Sequence, residues 1–414
     1  MRVCATLVLL CVGMVILSGC EGRDRVPSKG PTGVRAERDA AEVAPADEGQ
    51  VTAGTETAKP ATVASDESSV TTEEPAAPSH EPAAPSDDPA AVEALIPLAT
   101  ELRRDGNGNV IEVSFRGTSI GDDALEHLAG LPRLRSVLLN DTAVTDAGLA
   151  VLGKIATLEN LDLRGCQVTN AGLGHLVELD KLRALRLSGQ NGSTSVDDQG
   201  MVHVAELPNL EVLALDFLWI SEEGLAKLDG LDKLRELYLA QTLVGDEAMA
   251  RLAQFPALRK LRVSQTQISD TGLAHLAELP GLEELDVSEC AKLTDAGLAH
   301  IGKIKTLKKL NLWRVPITDA GVAHLAGLTN LEWLNLDNTQ LTDAGLIHLK
   351  DMTRLEFLHL GSTAVSDAGL RHLEPLKSLK QLSVTRTAVT EEGVAQLKKK
   401  LPETDIKLRY IEGQ

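Results

Sequence analysis

The chain has 414 residues, and its 41 Lys and Arg against 60 Asp and Glu give it a formal net charge of -19. Such an acidic balance supplies no basic patch for phosphate, which argues against nucleic acid or an anionic lipid surface as a partner. Five cysteines along this length are no disulfide framework.

Residues 1–19, "MRVCATLVLLCVGMVILSG", hold one arginine and then an apolar run, too short for a comfortable membrane span, and they read as a signal peptide. The run ends in "LSGC", Leu17 to Cys20, which resembles the lipobox at which bacterial lipoprotein precursors are lipidated and cut. That resemblance implies that Cys20 becomes an acylated N-terminus, so that a lipid holds the protein at a membrane of the bacterial cell envelope. Residues 20–89 turn to Pro, Ala, Ser, Thr, Glu and Asp, including "EPAAPSHEPAAPSDDPAA". This composition cannot bury a core, and the stretch is expected to be a disordered acidic tether spanning roughly 45–50 Å.

Residues 90–109 form an expected N-terminal cap. "AVEALIPLATELRR", Ala91 to Arg104, reads as a helix, and "DGNGNV", Asp105 to Val110, as the turn after it. The turn begins like a calcium loop, but Val110 stands where the sharp-turn glycine belongs and Arg116 where the bidentate glutamate belongs.

From 110 to 414 the pattern LxxLxL returns. Its last apolar position is Phe115, Leu139, Leu163, Leu187, Leu215, Leu239, Val263, Val287, Leu312, Leu336, Leu360, Val384 and Leu408. The spacing is 24 residues, apart from 28 before Leu215 and 25 before Leu312. Within a unit, "LENLDLRG" alternates as a strand, and "VTNAGLGHL" starts a helix behind a hydroxyl cap, Thr169. A strand and one short helix cannot bury themselves, so neighbouring units must stack.

The pattern resembles the leucine-rich repeat family over about 300 residues. It implies an α/β solenoid, a horseshoe with a parallel concave sheet and short convex helices, closed at residues 401–414 by a C-terminal cap. The "TDAGL" units, with Thr or Cys after the strand, are similar to the cysteine-containing subclass of eukaryotic F-box substrate receptors, although no F-box is apparent. Nine residues past the register mark stands glycine, replaced by Ala124 and Ala248 in two units. Its helical cost of about 1 kcal/mol implies a packing reason, expected to be close approach of helix to sheet. Cys166 and Cys290 fall in a turn column, too far apart to pair, and read as structural thiols.

Two motifs invite a chemical reading. "GTSIG", Gly117 to Gly121, matches the nucleophile elbow of hydrolases, but Ile120 is a core position in the repeat. His127, His175, His203, His275, His300, His324, His348 and His372 share one repeat position. Convex helices stand about 8–10 Å apart, whereas imidazoles sharing a zinc need nitrogens within about 4 Å, so the column reads as a solvated edge of the scaffold.

Strand alternation directs three rows of side chains into the horseshoe. In a chain with only three Trp, two Tyr and four Phe, the concave rows hold Tyr238, Trp313, Trp333 and Phe357, joined by His359, while Phe217 lies at the strand edge. These form the expected binding surface, because Trp and Tyr dominate interface energetics. The insertion "GQNGSTSV", Gly189 to Val196, is a second candidate.

The family implies protein recognition. The resulting expectation is a non-catalytic binding module on the cell envelope, with no catalytic residue, metal or cofactor, that takes a protein or peptide, or a glycan, on its concave face. Its membrane contact runs through the lipid at Cys20. Other readings are a structural envelope protein without a ligand, an F-box-like substrate receptor, or a hydrolase built on Ser119.

Overall fold

The structure is a computed structural model and describes residues 86–409. The signal peptide, Cys20 and the tether as far as residue 85 lie outside the described residues, as does the end of the chain from residue 410.

The strands are β1 (Glu101–Arg104), β2 (Val110–Ser114), β3 (Ser136–Leu138), β4 (Asn160–Asp162), β5 (Ala184–Ser188), β6 (Val212–Asp216) and β7 (Glu236–Tyr238). They continue as β8 (Lys260–Arg262), β9 (Glu284–Asp286), β10 (Lys309–Asn311), β11 (Trp333–Asn335), β12 (Phe357–His359), β13 (Gln381–Ser383) and β14 (Asp405–Lys407). All fourteen pair in sequence order in one sheet. From β2 onward the pairing is parallel and in register, as in Leu310↔Leu334 and Leu334↔Leu358. The ladder therefore sets each repeat directly beside the last, and the body is the expected leucine-rich repeat solenoid.

The core lies between this sheet and the convex helices. Leu161 and Leu163 of one unit, and Leu334 and Leu336 of another, are wholly buried together with helix residues such as Leu298 and Ile301. Each buried leucine contributes about 1.5–3 kcal/mol, but its walls are supplied by the adjoining units, so stability is a property of the stack.

The cap departs from the expected single helix. The helix is Pro89–Leu95, capped by Asp88, whose carboxylate accepts the Ala90 N–H at 3.0 Å. Glu101–Arg104 instead forms β1, antiparallel to β2. An edge strand satisfies the N–H and C=O groups of β2 that a helix would have left bare. The folded body also begins before residue 90, since Asp87 Oδ2 accepts the Val110 N–H at 2.6 Å.

The glycine column has a different cause from the one expected. The first helical residue of most units is aspartate, and its carboxylate reaches across to the cap of the next unit. Asp270 accepts the Thr294 N–H at 2.9 Å and the Thr294 hydroxyl at 2.5 Å. Asp295 treats Thr318 the same way, and Asp319 treats Thr342. A Cβ on Gly297 would lie 2.3 Å from Asp270 Oδ1, and one on Gly321 2.3 Å from Asp295 Oδ1. The glycines thus make room for this carboxylate ladder, not for the sheet. The two alanines agree. Ala248 follows a unit with Glu222, whose longer arm carries its carboxylate to the Gly245 N–H at 2.7 Å, and Ala124 has no repeat before it.

The turn column is structural. Thr142, Thr242 and Thr339 each donate a hydroxyl to the carbonyl three residues back, at 2.7–2.9 Å. Cys166 and Cys290 are buried free thiols whose Sγ atoms lie 3.2 Å from Leu139 O and Val263 O of the preceding unit.

Candidate binding site on the concave face

In-register pairing arranges the concave side chains in rows that run across the strands. The row formed by the first residue of each short strand reads Glu236, Lys260, Glu284, Lys309, Trp333, Phe357, Gln381 and Asp405 over β7 to β14. Its first half is closed by charge: Lys260 Nζ lies 3.1 Å from Glu236 and 3.6 Å from Glu284, and Lys309 Nζ lies 3.3 Å from Glu284. Burial works against the Lys260 charge, but the two glutamates outweigh it and hold its pKa above the ordinary lysine value.

The second half is aromatic. The Trp333 and Phe357 rings stack with centroids 4.9 Å apart and planes 5° from parallel. Sheet spacing of about 4.8 Å delivers this stack without strain, since paired residues on neighbouring strands already stand one ring thickness plus a small offset apart. The His359 ring lies 6.3 Å from Phe357. Burial pushes the His359 pKa down, and nearby Lys407 adds to this, while Asp337, 3.8 Å from Nδ1, pulls it back up. A cavity of 740 Å³ opens beside these residues, lined by Phe357, His359, Gln381, Ser383, Asp405 and Lys407 among others.

The other two sequence candidates stand apart. Tyr238 lies on β7, four strands or roughly 19 Å from Trp333. Its hydroxyl donates to Glu236 Oε2 at 2.7 Å, and burial together with the Glu236 charge pushes its pKa up. Trp313 follows β10 in a different row, with the Arg314 guanidinium 5.3 Å from its ring. The structure therefore gathers Trp333, Phe357 and His359 and leaves Tyr238 and Trp313 as separate features.

The insertion is mostly pinned. Thr194 is buried and donates to Cys166 O at 2.9 Å, and Val196 packs in the core, which leaves Gln190 to Gly192 and Ser195 exposed. Beside it stands a feature that sequence reasoning missed. Trp219 is 70% exposed and Leu243, at the same place in the next repeat, 50% exposed. Both precede a helix, where strand alternation no longer says which way a side chain points. The signal that could have found them is the column itself, which elsewhere holds Ala143, Gln167 and Gln267.

The two motifs that invite a chemical reading lie elsewhere. Ser119 is exposed, and its hydroxyl has no hydrogen bond among the described residues. The histidine column is exposed to half-buried, and among the described residues no three His, Cys, Asp or Glu side chains gather closely enough to hold a metal ion.

Comparison with known proteins agrees with the architecture. A family described as "Leucine rich repeat" matches residues 305–365, and one described as "Leucine Rich repeat" matches residues 154–177. No curated protein matches the chain in sequence. Among solved structures, an internalin (inlF) of Listeria monocytogenes is similar, with a TM-score of 0.54 and 20% identity, over 79% of this chain and 96% of that one. An internalin C2 of the same organism matches at 24% identity over 54% of this chain and 93% of its own, with a TM-score of 0.41. A plant peptide hormone receptor, RGFR1 in complex with RGF2, matches at 15% identity over 75% of this chain and 60% of its own, with a TM-score of 0.42.

Proposed function

The chain is a leucine-rich repeat protein, and from that premise we propose that it is a non-catalytic binding module that holds a protein or peptide partner on its concave face. The observation that carries this reading is the Trp333–Phe357 stack with a 740 Å³ cavity beside it, in a row whose other half, Glu236, Lys260, Glu284 and Lys309, is closed by mutual ion pairs. Half-buried aromatics at a cavity mouth can be desolvated by a partner at little cost and with much gain. The site is Trp333, Phe357 and His359; Tyr238 and Trp313 are secondary contacts at most.

Display on the bacterial cell envelope is part of the same proposal. It rests on "LSGC", Leu17 to Cys20, and on the Pro/Ala-rich stretch that would space the repeats from the membrane. Mass spectrometry of the mature N-terminus tests it: a lipidated Cys20 is the expected result, and an unmodified Cys20 or cleavage elsewhere removes the anchor. The binding reading is tested by crosslinking partners to the full chain. Trp333→Ala should abolish the crosslinks with the circular dichroism spectrum and melting point unchanged. Crosslinks that survive this change would move the site off the concave face.

A further inference from the structure

The ring stack in the first concave row is two rungs long, and the space for a third is open. Trp333 covers one face of Phe357. The opposite face looks along the row toward Gln381, which pairs with Phe357 on the next strand. There the row changes from rings to a flexible amide, and the cavity opens, with Phe357 as its near wall and Asp405 and Lys407 of β14 as its far wall. A ring resting on the free face of Phe357 would lie above Gln381 and repeat the 4.9 Å step already set by the two rings.

The charge on the far wall is uneven. Arg409 is tied to Glu391 at 2.6 Å, whereas the exposed ammonium of Lys407 has no ion pair or hydrogen bond among the described residues. The surroundings are basic as well: residues 371–409 hold nine Lys and Arg against five Asp and Glu, in a chain whose net charge is -19. An anion is therefore favoured at this end and disfavoured over much of the rest.

We propose that the cavity over Gln381 takes an aromatic side chain of the partner peptide, stacked on Phe357 as the third rung, with a neighbouring carboxylate of the same peptide against Lys407. The proposal rests on the binding function argued above and specifies its ligand. Positions in the two rows on β14, Asp405 and Lys407, are two residues or roughly 7 Å apart, the separation between neighbouring side chains of an extended peptide. A neutral sugar could rest on Phe357, but it would leave Lys407 without a counter-charge.

The test is titration of the full chain with acetyl-Gly-Tyr-Asp-Gly-amide, followed by saturation-transfer NMR on the tyrosine ring. Versions with Leu for Tyr and Asn for Asp, and cellobiose as the glycan probe, complete the set. The Tyr-to-Leu change should weaken binding about two- to tenfold, the Asp-to-Asn change about two- to fivefold. Lys407→Gln should remove the preference for Asp over Asn while keeping that for Tyr over Leu. Phe357→Ala should remove the ring preference, and Gln381→Trp, which fills the third rung from within, should block the peptide whether or not Phe357→Ala folds. Equal binding of all four peptide and sugar probes, no binding of any, or preference for cellobiose overturns the proposal. If crosslinks are lost in Trp333→Ala while the peptide titrations stay flat, the concave face binds a partner by other chemistry and only this inference falls.

Discussion

The carboxylate of Asp270 fills the space that a side chain on Gly297 would need, its Oδ1 standing 2.3 Å from the Cβ position. It cannot retreat freely, because it also holds the N–H and hydroxyl of Thr294. Gly297→Ala should therefore lower stability by about 1–3 kcal/mol, against the roughly 1 kcal/mol gain that helix propensity alone would give. In an Asp270→Ala background the same change should cost much less or become favourable, since the two residues are directly coupled. Chemical unfolding midpoints of the four proteins measure this, and equal shifts in both backgrounds would refute the coupling.

The thiols give a second expectation. Burial pushes Cys166 up to about 11 and Cys290 in the same direction. At pH 8 only about one Cys166 in a thousand would be thiolate, before access is considered. Iodoacetamide should leave both cysteines unmodified in the folded protein and alkylate both in strong denaturant, as read by peptide mass spectrometry. Rapid labelling of Cys166 in the folded state would contradict its place in the turn column.

Much of the fold was legible because a 24-residue period forces one solution. The aliphatic positions of "LENLDLRG" and "AGLAHI" fall where only stacking can bury them. β1 was not legible: in "ELRR" only Leu102 is apolar, so no alternation exists to read, and the strand is dictated by the bare edge of β2. The glycine column was visible, but its cause lay in a carboxylate of the preceding repeat, 26 residues earlier in most units and 27 earlier for Gly297. For the candidate site, alternation identified the concave face and so Trp333, Phe357 and His359. It could not separate them from Tyr238, whose hydroxyl is satisfied by Glu236, because that depends on which partners share a row.

His359 should make stability depend on pH. Burial, and Lys407 nearby, hold its folded pKa below the ordinary histidine value, although Asp337 opposes them. The unfolded chain then takes up the proton first, near pH 6.5. The contribution of the neutral ring is complete above that pH and declines as pH falls toward the folded value. Comparing melting points from pH 7.5 to 5, His359→Gln should lose less stability on acidification than the parent protein. Parallel curves for the two would mean that His359 titrates as it does in water.

The ion-pair half of the concave row makes the last prediction. Lys260 separates Glu236 from Glu284, and each carboxylate lies within 4 Å of its ammonium. Lys260→Met keeps most of the side-chain volume but leaves two carboxylates facing each other across the vacated place. With Lys260 part-exposed, the loss should be no more than about 1 kcal/mol at neutral pH and low salt. It should shrink in 0.5 M salt, where the Debye length is only about 4 Å. Thermal melts at the two salt concentrations separate charge from packing. A penalty that persists unchanged in 0.5 M salt would show that the lysine stem, and not its charge, matters in this row.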